Sequence, residues 1–217
     1  MTEEEFAVCR ELHRVVSFLR VTASDRKKRL LACACFRVFW TVLVTRGAKL
    51  RDWYRQLDLW VPAAVTASES FADGLIGKQE LRAARKGGSG GPFNICWNVC
   101  RTDKDAALLV PWGFGAIISE EQLDLPVDDA TRQLIHDIFG NPFRPSTIDP
   151  AWLTWRDGTA VKLAQTIYDD RRYDLLPILA DALHEAGCCD EAILDHCRGP
   201  GPHVRGCWVV DLMLGKT

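Results

Sequence analysis

The stretch Leu30–Val44, LLACACFRVFWTVLV, constrains the fold more than any other part of the chain. Arg37 is its one charged residue, and on a helical projection its apolar residues occupy every side. A helix that is apolar all round belongs in the middle of a fold rather than on its surface. Ser24 is a suitable N-cap and Gly47 a suitable stop, so both ends carry a signal. At about fifteen residues the run falls short of the roughly eighteen or more that suggest a membrane span. The expectation is the central helix of a helical domain.

The remainder reads as further helices. Phe6, Cys9, Leu12, Val16 and Leu19 recur at three-or-four spacing, which predicts one amphipathic helix over Glu3–Arg20. The basic run Arg26–Arg29 opens the central helix, where the macrodipole disfavours positive charge, so these side chains are expected to meet something acidic or solvent. Trp53, Leu57 and Trp60 form one stripe, Pro62 marks a break or a new first turn, and Val65, Phe71 and Leu75 continue an apolar face before KQELRAARK. Gly/Ser-rich residues 87–92 read as a linker between an N-terminal helical half, 1–86, and a C-terminal helical half, 93–217, with one continuous domain as the alternative.

Residues 93–125 show no legible period. A helix is predicted over Asp128–Phe139 with Leu134, Ile135 and Ile138 inward, ended by the turn Gly140–Pro145 and followed by an aromatic-anchored loop, Ile148–Trp155. Thr159 is expected to cap a helix through Tyr168. Asp174 opens another, with Pro177 in its first turn and Gly187 closing it. Asp190 caps Glu191–Cys197, and a final helix is predicted around Val204–Leu214. No segment alternates with period two for long enough to need a sheet. The fold class is all-α: an irregular multi-helix bundle or a stack of short helices.

Composition narrows the function classes. Hydrophobic residues at 47% and charged residues at 26% describe a globular chain able to bury a core. A net charge of −2 gives no bulk attraction to nucleic acid or anionic lipid. The basic patches Arg26–Arg29 and Arg82–Lys86 lack interleaved aromatics, so neither nucleic acid nor membrane is an expected partner. The acidic start MTEEEF lacks a secretory pattern, and the nine cysteines are odd in number and irregularly spaced, so reduced thiols in the cytoplasm are expected.

Three blocks carry a resemblance: SDRKKRLLACACFRVFW; FADGLIGKQELRAAR; and HDIFGNPFRP through DPAWLTW to CRGPGPHVRGCWVVDLMLGK. They resemble a large family of paralogous proteins expanded in planctomycete bacteria, for which no activity is established. The resemblance covers most of the chain apart from roughly Lys86–Asp128, and its C-terminal block is the most specific part. It implies a shared fold and a bacterial cytoplasmic setting, and no reaction.

Two constellations could carry chemistry. Cys188, Cys189, His196, Cys197, His203 and Cys207 lie within twenty residues of one another. His203 and Cys207, four apart, would share a face if helical, and Cys197 with either Cys189 or His196 could supply the other pair of a tetrahedral zinc site. No C-x-x-C occurs, and free cysteine commonly fills core space, so structural thiols without a cofactor are the competing and favoured reading. The second constellation is Arg198-Gly-Pro-Gly-Pro-His203-Val-Arg205, where Arg198, His203 and Arg205 could bind an anion or, as favoured, pair with Asp190, Asp195 or Asp211. Cys33 with Cys35, and Cys96 with Cys100, read as core filling. The terminal Leu214–Thr217 lacks the spacing of a phosphate loop, and the acid pairs at 128–129 and 169–170 lack facing partners.

With no recognisable catalytic set, the leading expectation is a non-catalytic helical module that binds a partner protein, using exposed tryptophans such as Trp112, Trp152 or Trp155. The alternative is a metal- or anion-binding site, enzymatic in one version, at the C-terminal Cys/His/Arg loop.

Overall fold

The computed structural model describes residues 1–9, 11–45, 61–84 and 127–216. Among them regular structure is helical, with no strand. Helices α1 (Glu3–Val8), α2 (Leu12–Thr22), α3 (Asp25–Thr45), α4 (Val61–Ala72) and α5 (Lys78–Ala83) precede α6 (Val127–Phe139). Then come α7 (Pro150–Thr154), α8 (Thr159–Asp170), α9 (Leu176–Glu185), α10 (Glu191–Arg198) and α11 (Trp208–Met213). Short 3₁₀ turns, Trp155–Gly158 and Tyr173–Leu175, precede α8 and α9. The chain forms two compact units, Met1–Arg132 and Gln133–Thr217. The expected linker at 87–92, the stripe Trp53–Trp60, Cys96, Cys100 and Trp112 lie outside the described residues.

In the first unit the apolar run does what its pattern predicts. Every residue from Lys28 to Phe36 is buried, more than two turns with no face left to solvent. Ser24 accepts the Lys27 amide at 3.3 Å and caps the helix. The basic opening is satisfied locally. Arg26 pairs with Asp73 at 3.0 Å, and Arg37 clasps Glu69 through two bonds of 2.9 Å. Arg29 donates to Ser68 at 3.3 Å and lies over the Phe71 ring. Arg26 at the start of α3 meets Asp73 just past the end of α4, while Cys33 and Arg37 further along α3 meet Val65 and Thr66 in its first half, so the two helices run antiparallel. Lys28 reaches the Arg20 carbonyl at 3.1 Å, at the C-terminal end of α2, where the helix dipole favours a cation.

The predicted helix over Glu3–Arg20 is two helices. The chain is extended at Cys9 (ψ 114°), whose carbonyl accepts a hydrogen bond from the Arg132 guanidinium. Thr2 and Glu5 close a capping box on α1, which makes so short a helix viable.

The second unit packs α7–α11 around one core. Ala160, Ala164 and Ile167 of α8, Leu176, Leu179 and Leu183 of α9, Ile193 and Cys197 of α10, and Val209, Val210 and Met213 of α11 are buried together. The small residues Ala160 and Ala164 stand one turn apart on α8 and allow close helix approach. Asp190 caps α10 by accepting the Ala192 and Ile193 amides, and proline sits in the first turn of α9, as predicted. Four expectations are corrected. Thr159 does not cap α8: Gly158 precedes the helix, and the Thr159 hydroxyl donates to the Arg156 carbonyl at 2.7 Å. Asp174 does not open α9, which starts at Leu176; its carboxylate pairs with Arg172 at 2.8 Å. Ile148–Trp155 is not a loop throughout: Asp149 accepts the Ala151 amide at 2.8 Å and starts α7. The last helix begins at Trp208 rather than Val204, because Val204–Gly206 turns instead.

Candidate metal centre

Four side chains of the second unit meet at one point: Asp137, His196, His203 and Cys207, with one donor atom of each within 4.8 Å of the others. Three elements bring them there. Asp137 lies in the last turn of α6, His196 in the last turn of α10, and His203 and Cys207 in the connection from α10 to α11. A carboxylate at a helix C-terminus opposes the macrodipole, so Asp137 needs a cation nearby. His203 supplies one.

His203 Nδ1 is 2.8 Å from Asp137 Oδ1, and His196 Nε2 is 3.2 Å from the same oxygen. His196 Nε2 also lies 3.2 Å from Cys207 Sγ. The outward atoms are held by the backbone: Val204 N–H donates to Asp137 Oδ2 at 2.9 Å, and His203 Nε2 is 3.3 Å from the Gly199 carbonyl. Asp137 and His203 therefore each turn one donor inward while the other polar atom is engaged. Metal-binding histidines and carboxylates are typically oriented in this way.

The loop Gly199–Pro202 sets the position of His203. Gly201 has φ +79°, and a Cβ there would stand 2.8 Å from the His203 backbone nitrogen. Gly140, at φ +59°, lets the Trp208 ring come within 3.1 Å of where its Cβ would be. Trp208 in turn packs on His196, with ring centroids 5.3 Å apart.

The electrostatics call for positive charge at the centre. Burial opposes ionisation of Asp137, but its bonds to His196 and His203 hold the carboxyl below its usual range. Burial likewise opposes protonation of His203, and the Asp137 carboxylate and the Gly199 carbonyl overcome it and raise its pKa. Both ring nitrogens of His203 face acceptors, so Nδ1 is suited to carry a proton or a metal ion. Burial and the Asp137 charge push the Cys207 thiol well up, against backbone N–H groups of Val210 and Val209 that favour the thiolate.

The geometry separates a chelate from a catalytic relay. In a Cys–His–Asp relay the carboxylate and the nucleophile engage different nitrogens of the imidazole. Here Nε2 of His196 faces both Asp137 and Cys207. Cys207 is also only 1% exposed, which denies a substrate direct approach to the sulfur. With metal–N/O bonds of about 2.0 Å and a metal–S bond of about 2.3 Å, tetrahedral edges run about 3.3–3.5 Å. To take an ion the 2.8–3.2 Å contacts would open by a few tenths of an ångström, and donors standing as far as 4.8 Å apart would close.

Of the residues expected to bind metal, His196, His203 and Cys207 converge. Cys189 is exposed, with its sulfur 3.8 Å from the Gly187 carbonyl, and Cys197 is buried in the helical core, its thiol raised to about 12 by burial and the neighbouring Cys188 and Asp137. The rationale for His203 and Cys207 is corrected: they meet because the 199–206 segment folds back, not because they share a helix face. Of the expected anion ligands, Arg198 pairs with Asp181 at 3.1 Å, Arg205 lies over the Tyr168 ring, and His203 faces Asp137. The fourth donor, Asp137, lies about sixty residues upstream and was not anticipated; its signal was an acid in the last turn of an amphipathic helix, where a cation is favoured. Cys33 and Cys35 are buried, and burial raises both thiols to about 12.

Comparison with known proteins adds no assignment: no protein-family description, curated protein or solved structure matches the chain.

Proposed function

We propose that the second unit is a zinc-binding helical module in which Asp137 Oδ1, His196 Nε2, His203 Nδ1 and Cys207 Sγ are the ligands. The observation that carries this reading is the convergence of four donor atoms whose companion atoms on Asp137 and His203 are already engaged by the backbone. An N₂OS donor set suits zinc, whereas magnesium and calcium want oxygen ligands throughout. Charge supports it too: one carboxylate, one thiolate and two neutral imidazoles balance a doubly charged ion.

The interaction reading has less support. Trp152 is buried, and Trp155 is half-buried with the Arg156 guanidinium over its ring, so these two tryptophans make no exposed apolar patch. Among the described residues no helix is long and apolar enough to cross a membrane. The role assigned to the metal is to tie α6, α10 and the start of α11 together.

Elemental analysis of the purified full-length chain tests this, together with cobalt substitution. One zinc per chain is expected, and cobalt should give a thiolate-to-cobalt charge-transfer band that disappears in Cys207→Ser. A folded protein that retains no metal and shows no such band on adding cobalt would overturn the proposal.

A further inference from the structure

The centre is closed on one side and open on the other. Cys207 forms its inner wall, at 1% exposure. The other three donors, Asp137, His196 and His203, line a cavity of about 230 Å³ together with the Gly199–Pro202 loop. At about 30 Å³ per water molecule, this is room for several waters or one small molecule. Zinc held by four protein ligands is commonly structural, but zinc can expand to five-coordinate where its surroundings leave room, as they do here on the side of three donors.

The lining also selects a chemistry. Among the described residues its one acid is Asp137, which the metal would engage. Gln133 and His136, on α6, line the same cavity and can donate hydrogen bonds, while Pro200 and Pro202 offer a rigid wall without charge. A metal ion at the centre presents to this cavity the face spanned by Asp137, His196 and His203, opposite Cys207. Zinc and cobalt accept a fifth ligand on such a face.

From this placement we infer that the metal centre has an exchangeable coordination position facing the cavity, and that it takes a small monoanionic Lewis base of the carboxylate class. The inference rests on the four-ligand reading above and gives it a ligand. The centre is then a receptor for a small anion as well as a brace between helices.

The test uses the full-length chain loaded with cobalt and titrated with azide, with acetate as competitor. Azide should lower the visible d–d absorption in a saturable way, as four-coordinate cobalt becomes five-coordinate, while the thiolate band persists. Acetate should displace it. Gln133→Trp, which places a bulky ring at the cavity wall without touching a ligand, should keep the thiolate band and lose the azide response. A thiolate band with a d–d spectrum indifferent to azide and acetate would overturn the open position and leave the four-ligand centre standing. Extraction of cobalt by azide would also count against it. Absence of any thiolate band would overturn the centre itself.

Discussion

Replacing Asp137 by asparagine separates a metal centre from a mere hydrogen-bond network. The carboxylate side chain is 3% exposed and meets His203 Nδ1 at 2.8 Å, Val204 N–H at 2.9 Å and His196 Nε2 at 3.2 Å. An amide in its place removes the charge and sets an NH₂ group against at least one donor. Removing one partner of a buried charge pair costs about 3–5 kcal/mol. Counting instead two hydrogen bonds to a charged group, at about 1.5–3 kcal/mol each, gives a similar range. His203 can shed its proton once the carboxylate is gone, which relieves part of the penalty and points to the lower end, about 3 kcal/mol. For a unit the size of Gln133–Thr217, each kcal/mol moves Tm by about 4–8 °C, so the metal-free variant should melt roughly 12–24 °C lower. Zinc should widen the gap. At a free concentration a thousand times Kd, the ion stabilises the native protein by about 4.1 kcal/mol, and a variant short of one ligand captures less of that. The assay is thermal unfolding by circular dichroism, in chelator and in excess zinc, following the transition that zinc moves. An identical gap in chelator and in zinc would refute Asp137 as a ligand. A gap under about 1 kcal/mol in chelator would refute the buried-pair estimate.

Three further outcomes are expected. The metal-free protein should be most stable between about pH 4 and about pH 6.5, the unfolded values for the two groups. Asp137, whose pKa is lowered, stabilises above its unfolded value and loses that contribution as pH falls through the folded one; His203, whose pKa is raised, stabilises below its unfolded value and loses it as pH rises through the folded one. Urea denaturation across this window checks it, and stability rising steadily from pH 6 to 9 would contradict the Asp137–His203 pairing. In the first unit, Arg37→Met should destabilise more than Glu69→Gln, by about 3–5 against about 1–2 kcal/mol. The reason is burial: the Glu69 side chain is 3% exposed and the Arg37 side chain 34%, so a carboxylate that loses this partner stays dry while a guanidinium that loses it reaches water. Equal losses in chemical denaturation would be the contrary result. Finally, peptide mapping after brief maleimide treatment of the native protein should find Cys189 labelled far faster than Cys33, Cys35, Cys188, Cys197 or Cys207, because it is the exposed thiol among the described cysteines. Rapid labelling of Cys207 in the zinc-loaded protein would argue against its burial at a metal.

Helices were legible in the residues because their signals are local. The run from Leu30 declares a buried helix by having no polar face, and Asp190, Pro177 and Gly187 mark their ends by chemistry that acts within one turn. The same locality explains the error at Cys9. Three-or-four spacing of apolar residues continues through the break, since α1 and α2 both pack inward, and spacing reports burial rather than continuity of the helix.

The centre could not be read in that way. His196, His203 and Cys207 are close in sequence and stood out as a cluster, but sequence proximity equally favoured Cys189 and Cys197, one of which is exposed and the other buried in core. Which side of α10 faces core and which faces the 199–206 segment depends on packing against α9 and α11. The sequence by itself thus determined an all-helical chain, the place of most of its later helices and a short list of donors. Only the tertiary structure decided which donors meet, and it added Asp137, because the meeting point lies where the last turn of α6, the last turn of α10 and the turn before α11 come within a few ångströms. Helix propensity acts over a few residues, whereas these four donors are brought together across about seventy positions, and only a packed core can hold them there.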